Sequence, residues 1–145
     1  MMVIQPMLAE EEPTVRDIYA ACHPDWPVRA AKWYTVYPTL VMHDGHGQIV
    51  GFTSFSVSPA PGGAITLYGN DLCVLPTWRN GGLGLQLAQA RAACGRDVGA
   101  KTFIGLTQPS NAGMVCIFQR QGFHACQRIP RYFGTEPGIV WSGDL

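Results

Sequence analysis

The chain has 145 residues; 47% are hydrophobic, only 14% are charged, and ten acidic and ten basic side chains give a formal net charge of zero. This length and composition predict one globular domain over residues 1–145 and exclude a disordered chain. The balanced charge disfavours a nucleic-acid-binding protein, because such proteins usually carry a basic excess.

The apolar runs and the cysteines set further limits on the class of protein. No run reaches 18 apolar residues, so we expect no membrane span, and the N-terminus lacks the basic start and long apolar stretch of a signal peptide. The five cysteines show no CxxC spacing; they are Cys22, Cys73, Cys94, Cys116 and Cys126. Because Cys73, Cys94 and Cys116 lie in apolar segments, we interpret them as reduced core residues of a cytoplasmic protein.

The first 38 residues predict a strand and two helices. Residues 2–8 read as a short strand at a sheet edge or with a bulge, because Pro6 cannot donate a ladder hydrogen bond. Residues 10–23 read as a helix with acids in its first turn and Pro13 near its start. Its apolar stripe consists of Val15, Ile18, Tyr19 and Cys22. Residues 24–38, between prolines, predict a second short helix.

The middle of the chain predicts three strands. Residues 39–58 predict a hairpin of two strands around "GHG". His43 and His46 near this turn are better explained as polar turn residues than as a pair of metal ligands, so no metal site is expected. After a turn at 59–63, residues 64–75 predict a third strand. Its apolar residues change parity along the strand, which indicates a β-bulge at Gly69–Asn70.

The last part of the chain alternates between helices and strands. A glycine-rich turn precedes a helix whose stripe is Leu83, Leu87, Ala90 and Cys94 and which ends near Gly99. A strand at 101–108, a helix at 110–122 capped by Ser110 or Asn111, and strands at 123–133 and 138–145 follow. The sum is an α/β fold with one mixed central sheet of six or seven strands, flanked by about four helices.

The turn "RNGGLG", directly after a strand and before a helix, predicts either an anion site or a tight connection. Bare glycine backbone and unpaired N–H groups at a helix start favour a phosphate. The stretch lacks the lysine of a P-loop. It also has Leu87 where a dinucleotide fingerprint needs glycine or alanine, and no acid follows about 20 residues on.

The turn and a second motif together resemble the GNAT superfamily of N-acetyltransferases. Arg79, Gly82 and Gly84 match its pyrophosphate loop, [QR]xxGx[GA]. Downstream, "NAGMVCIFQRQGF" is similar to the family's NxxAxxxYxxxGF, with Asn111 and Phe123 in place. The predicted order of elements also resembles that of the family over nearly the whole chain.

The resemblance implies that acetyl-CoA is the co-substrate and assigns residues to it. The pyrophosphate would be bound by the loop, which comprises Arg79, Asn80, Gly81, Gly82, Leu83 and Gly84. The pantetheine arm would pair with the main chain of Leu72, Cys73 and Val74. Asn111, otherwise a plain helix N-cap, would contact the pantetheine, and Phe118 would lie beside the cofactor.

The resemblance also implies a base and an acid, and here the sequence departs from the family. Phe118 stands at the usual tyrosine position and has no proton to donate. The acid is then water, another tyrosine (Tyr68, Tyr132 or Tyr34) or no group at all. Asp71, beside the predicted bulge, is the candidate general base. Its alternative role is to stabilise the bulge by hydrogen bonds to nearby backbone amides.

The implied activity is transfer of an acetyl group from acetyl-CoA to a primary amine. The neutral charge favours a small-molecule acceptor, and Trp26, Trp33 and Tyr34 are candidates for a wall of its site or for ordinary core packing. One alternative is an acyl-CoA-binding or regulatory domain with little transfer. Another is an acetyltransferase directed at protein or nucleic acid. The family resemblance also allows a homodimer formed through the closing strands.

Overall fold

A computed structural model describes residues 1–26 and 37–145 of the chain. Seven strands are numbered in chain order: β1 Val3–Pro6, β2 Thr39–His43, β3 Ile49–Pro59, β4 Ile65–Val74, β5 Thr102–Thr107, β6 His124–Phe133 and β7 Glu136–Asp144. Three α-helices are described: α1 Glu12–Cys22, α2 Leu83–Asp97 and α3 Ala112–Arg120. Short 3-10 turns occupy Ala9–Glu11 and Pro76–Trp78. The predicted second helix falls largely on residues 27–36, outside the described residues.

The strands form one mixed sheet with the order β1-β2-β3-β4-β5-β7-β6. The pairs β1–β2, β2–β3, β5–β7 and β6–β7 are antiparallel, whereas β4 and β5 are parallel from Thr66 opposite Thr102 to Gly69 opposite Gly105. The prediction of a mixed sheet of six or seven strands is confirmed. β1 is an edge strand, as Pro6 at its end predicts.

Two compact units can be distinguished in the chain, and β3, β4 and α2 each contribute residues to both. The first unit comprises Met1–Ser56 and Asp71–Arg91. One core cluster of this unit joins α1 to β2, β3 and β4 and consists of Val15, Ile18, Tyr19, Val41, Ile49, Phe52 and Cys73. A second cluster consists of Met42, Val50, Val74, Leu83 and Leu87, with Leu72 packed against it. The C-terminal half of β4 is therefore covered on both faces.

The second unit comprises Val57–Asn70 and Ala92–Leu145. Its centre is an aromatic group in which Phe103 stacks on Phe123 at 4.5 Å between ring centroids, and Phe118 lies 5.6 Å from Trp141. Gly143 leaves room for Phe123, because a Cβ there would lie 2.3 Å from the ring. The ring of Phe123, in the connection from α3 to β6, thus packs where β7 carries glycine.

Local packing differs from the sequence prediction at one residue of α2 and one residue of α3. The buried face of α2 carries Arg91, which is only 2% exposed and lies outside the predicted stripe. Cys116, expected in the core, is exposed on α3, because the buried residue of that helix is Phe118 two positions further on. The bulge at Gly69–Asn70 stays a prediction. It is inferred because the apolar residues of β4 change from one face to the other, which indicates a bulge only if one face is buried. The C-terminal half of β4 is buried on both faces.

No helix among the described residues is long and apolar enough to cross a membrane. Across residues 1–26 and 37–145, no group of three or more His, Cys, Asp or Glu side chains is arranged to hold a metal ion. His43 forms a hydrogen bond with Glu11, with 2.7 Å between Nε2 and Oε2.

Candidate functional site

The glycine-rich turn lies in the first unit, between the end of β4 and the start of α2. Asn80 and Gly82 adopt left-handed backbone conformations, with φ of 66° and 80°. A Cβ added at Gly81 or Gly82 would meet no atom within 4 Å, so the glycines border open space. The turn is therefore not needed for close packing; it presents bare backbone to the outside.

The start of α2 leaves backbone donors available at this turn. The first backbone hydrogen bond of this helix runs from the N–H of Gln86 to the carbonyl of Gly82, at 3.1 Å. In the part of the chain that the structure describes, the N–H groups of residues 80–85 donate to no protein acceptor. A helix start with free N–H groups and an exposed glycine backbone is suited to bind an anion such as a phosphate.

Arg79, the first residue of the turn, is held against the end of β4. Its Nε donates to the carbonyl of Val74 at 2.9 Å, and its Nη2 lies 3.4 Å from the Sγ of Cys22 at the end of α1. The side chain is exposed, so its positive charge remains accessible beside the free N–H groups. Sequence reasoning named Arg79 as a cofactor ligand but did not anticipate its contact with Cys22.

The strand residues assigned to the pantetheine divide between the two faces of β4. Cys73 belongs to the cluster against α1, whereas Leu72 and Val74 pack against the α2 side. On the β3 side the main chain is already paired, because the N–H of Leu75 donates to the carbonyl of Val50 at 2.9 Å. A Cβ at Gly51 would lie 2.8 Å from the carbonyl oxygen of Cys73, so glycine is required for this close approach of β3.

Asp71 is buried and hydrogen-bonded. Its Oδ2 accepts from the hydroxyl of Ser54 at 2.8 Å, and its main-chain carbonyl accepts from the hydroxyl of Thr53 at 2.7 Å. Both partners are on β3, so the aspartate joins the two strands at this level. The alternative role assumed hydrogen bonds from nearby backbone amides, whereas this bond comes from a side-chain hydroxyl on the neighbouring strand. The carboxylate keeps the chemistry of a base.

Arg91 supplies a positive charge beneath the same strands. Its Nη1 donates to Thr53 Oγ1 at 3.1 Å and lies 3.5 Å from the carbonyl oxygen of Asp71. Burial lowers the pKa of Arg91 to about 10, and the negative charge of Asp71 acts in the opposite direction. Sequence reasoning missed Arg91; its position four residues after Leu87 was the available signal.

Of the three tyrosines named as acids, Tyr34 lies outside the described residues, and Tyr68 and Tyr132 lie in the second unit. Tyr68 is on β4 opposite Ile104 of β5, and Tyr132 is on β6 at a register irregularity next to the left-handed Arg131. Both are exposed, Tyr68 36% and Tyr132 54%. The hydroxyls are thus on residues open to solvent, and nothing in their placement selects one over the other as the acid.

The second motif forms the start and body of α3. Asn111 is the N-cap, and its Oδ1 accepts from the N–H of Met114 at 3.1 Å. Phe118 is 2% exposed, and its ring tip lies against β5, because a Cβ at Gly105 would meet Phe118 Cζ at 2.8 Å. The residue at the usual tyrosine position is therefore part of the aromatic core of this unit.

The family model described as "Acetyltransferase (GNAT) family" matches residues 7–123. L-methionine sulfoximine/L-methionine sulfone acetyltransferases from Pseudomonas paraeruginosa and Pseudomonas aeruginosa are each 27% identical over 95 residues, 66% of this chain. The chain spans little more than half of these relatives, since the match covers 55% of their length.

Several solved structures share the fold. The yncA protein of Salmonella typhimurium with its cofactor acetyl-CoA superposes with a TM-score of 0.83 and 22% identity, over 100% of this chain and 94% of that one. The ribosomal-protein-S18-alanine N-acetyltransferase of Escherichia coli gives 0.81 and 18%, over 99% and 94%. Arabidopsis thaliana NAA60 with a bisubstrate analogue gives 0.84 and 13%, over 99% and 98%. At these identities the likeness concerns the fold alone.

Proposed function

The chain belongs to the acetyltransferase (GNAT) family, whose model matches residues 7–123, and from this premise we propose that it transfers an acetyl group from acetyl-CoA to the primary amine of a small molecule. The observation that carries the proposal is the turn from Arg79 to Gly84. It combines an exposed arginine, an open glycine backbone and unpaired N–H groups at a helix start. These are the features that bind a pyrophosphate.

In the proposed complex the loop 79–84 binds the pyrophosphate, and the pantetheine arm follows the main chain of Leu72, Cys73 and Val74. Asn111 is proposed as a further contact of the arm, and Phe118 as an apolar neighbour of the cofactor. Solved relatives support the choice of cofactor, because yncA is bound to acetyl-CoA and a NatC complex to CoA. The residue assignments rest on the two matching motifs.

The acceptor amine must lose a proton, and the departing CoA thiolate benefits from gaining one. The neutral amine attacks the thioester carbonyl, a tetrahedral oxyanion forms, and the C–S bond then breaks to release the CoA thiolate. We propose Asp71 as the general base, because it is the carboxylate on the strand assigned to the pantetheine. For the acid we retain Tyr34, Tyr68, Tyr132 and water, because a phenylalanine at position 118 cannot protonate the thiolate.

The acceptor is proposed to be an amino acid or a close analogue. This choice is supported by the Pseudomonas relatives, whose names specify L-methionine sulfoximine and L-methionine sulfone as substrates. It also agrees with the formal net charge of zero. The structural neighbours include enzymes that acetylate protein N-termini, such as the one acting on ribosomal protein S18, so the shared fold does not select the acceptor.

Phe118 favours a second candidate function, a domain that binds acyl-CoA without efficient transfer. One experiment separates the two. Calorimetry would measure the binding of acetyl-CoA and CoA, and a thiol-release assay would follow turnover with amino acids, their sulfone and sulfoximine analogues, and a peptide with N-terminal alanine. We expect binding and turnover, with the amino-acid analogues preferred over the peptide. Binding with no turnover of any amine would favour the binding domain, and absence of binding would contradict both proposals.

A further inference from the structure

Two reduced cysteines from different elements meet at the end of β4. Cys22, the last residue of α1, is half-buried, and Cys73 in β4 is 2% exposed. Cys22 packs against the core cluster that contains Cys73, and its Sγ lies 3.6 Å from the carbonyl oxygen of the next residue, Val74. Because the residues are 51 positions apart, only the packing of α1 on the sheet brings these sulfur atoms together.

The guanidinium of Arg79 contacts the sulfur atom of Cys22. Arg79 Nη2 donates to Cys22 Sγ at 3.4 Å, and the guanidinium is held in place by the bond from Nε to the Val74 carbonyl. The hydrogen bond from Cys73 and the donor and charge of Arg79 lower the pKa of Cys22 to about 6, against the opposing effect of burial. The guanidinium of Arg79 therefore favours ionisation of Cys22, whose neutral thiol donates to the Val74 carbonyl at 3.6 Å.

The second sulfur atom is held in the opposite state. The hydrogen bond to Cys22, burial and the nearby negative charges of Cys22 and Asp71 raise the pKa of Cys73 well above its ordinary value. His23 Nε2 lies 3.8 Å from Cys73 Sγ and offers a site for a proton beside it. The two cysteines thus differ: Cys22 is partly accessible and its ionisation is favoured, whereas Cys73 is a buried thiol in the cluster against which Cys22 packs.

We propose that Cys22 is a modification site for peroxides and that Cys73 converts its oxidised form into a reversible Cys22–Cys73 disulfide. This property is separate from acetyl transfer and does not depend on it. An accessible thiolate next to a second thiol is the arrangement found in redox-reactive cysteines. Cys22 packs against the cluster that contains Cys73, so both sulfur atoms belong to one packed region of the first unit.

The reaction balances with hydrogen peroxide as the oxidant. The Cys22 thiolate attacks one oxygen, an S–O bond forms, the O–O bond breaks, and the released hydroxide takes up a proton as water. The Cys73 sulfur atom then attacks the sulfenic acid; an S–S bond forms, the S–O bond breaks, and the second hydroxide leaves as water with the Cys73 proton. Two thiols lose two electrons, and one peroxide becomes two waters.

The first test uses the unmodified protein. One equivalent of hydrogen peroxide is added, remaining thiols are blocked, and peptides are mapped by mass spectrometry with and without a reductant. We expect one reducible linkage between the peptides of Cys22 and Cys73, formed before any oxidation of the exposed Cys116 and Cys126. Earlier oxidation of Cys116 or Cys126, or the absence of this linkage, would overturn the proposal.

Variants assign the two roles. In Cys73→Ser the reaction should stop at a Cys22 sulfenic acid, which a dimedone probe captures, and in Cys22→Ser the Cys73 thiol should stay unmodified. Cys116→Ser is the matched control and should form the disulfide at the unmodified rate. Dimedone labelling of Cys73 in place of Cys22 would reverse the assignment and contradict the proposal.

The role of Arg79 has its own measurement. The rate of alkylation of Cys22 by iodoacetamide, followed at each pH by mass spectrometry, should be half-maximal near the pKa of about 6. Arg79→Gln should move this midpoint upward, while the midpoint of Cys116 in the same sample stays unchanged. An unshifted Cys22 midpoint would show that Arg79 does not stabilise the thiolate. The assay needs no acetyl-CoA, so a failure of the proposed enzyme function leaves it interpretable.

Discussion

Asp71 combines two roles that a buried carboxylate can have, and a single substitution separates them. In Asp71→Asn the side-chain oxygen can still accept the hydrogen bond from Ser54, so the link between β3 and β4 is retained. The ability to take up a proton at neutral pH is lost. If Asp71 is the base, kcat should fall by about 100-fold or more, and the acidic limb of the pH–rate profile should disappear.

The control for this prediction is Asp17→Asn, an exposed aspartate on α1, which should leave the pH–rate profile unchanged. An unaltered profile in a folded Asp71→Asn protein would assign Asp71 to stabilising the strand pair. The base would then have to be sought among other groups.

Phe118 marks the departure from the family motif, and its packing predicts what a tyrosine would do there. The tip of the ring lies against β5 at Gly105, so a hydroxyl at Cζ has little room. Phe118→Tyr should therefore destabilise the fold by about 1 to 3 kcal/mol through overpacking. It should not raise kcat, because the hydroxyl would lie in the aromatic core of the second unit.

Urea unfolding and steady-state kinetics of this variant provide the measurement. Phe123→Tyr, in the same aromatic group, is a useful comparison, since its ring also packs tightly, against Gly143. A rise in kcat for Phe118→Tyr without loss of stability would contradict this account. It would indicate that position 118 faces the reacting thioester.

At the scale of elements, the junction of β4 and α2 is the proposed cofactor site. Two glycines in similar conformations allow a controlled test of this assignment. Gly82 in the turn and Gly47 in the β2–β3 hairpin have φ near +80°, and a Cβ at either would meet no atom within 4 Å. Replacing each by aspartate should cost a similar amount of stability, about 1 kcal/mol. Only Gly82→Asp places a negative charge at the proposed pyrophosphate site.

We therefore expect Gly82→Asp to abolish CoA binding in calorimetry and Gly47→Asp to leave it intact. Equal affinity in the two folded variants would contradict the assignment of the turn. Loss of binding in both would attribute the effect to general destabilisation.

The elements also show which parts of the sequence reasoning succeeded. Prolines, turns and apolar patterns were sufficient for the strands, for α1 and for the capping of α3 by Asn111, because these signals are local. The buried face of α2 was incompletely predicted. Its arginine faces inward only because Thr53 on β3 and the carbonyl of Asp71 on β4 lie there to accept its hydrogen bond. Similarly, the exposure of Cys116 depends on which side of α3 meets the sheet.

At the scale of the whole molecule, the sequence predicts one domain, whereas contacts divide the described chain into two compact units. Because β3, β4 and α2 each continue from one unit into the other, we predict cooperative unfolding of the entire chain. Urea titration followed by circular dichroism and by tryptophan fluorescence should give coincident transitions. Trp78 is in the first unit and Trp141 in the second, so Trp78→Phe and Trp141→Phe should leave the midpoints of the two signals coincident. Two resolved transitions would contradict a single domain.

The sequence by itself determined the family and the order of the described elements, and it predicted the cofactor loop. These depend on short-range requirements: glycine for left-handed backbone and open approach at Gly82, asparagine for the cap at the start of α3, and arginine at the head of the turn. Tertiary structure alone decided the pairing of Cys22 with Cys73, the burial of Arg91 and the hydrogen bond from Ser54 to Asp71. Each of these joins residues far apart in the chain, and the energies of such contacts depend on burial and distance, which no local pattern encodes.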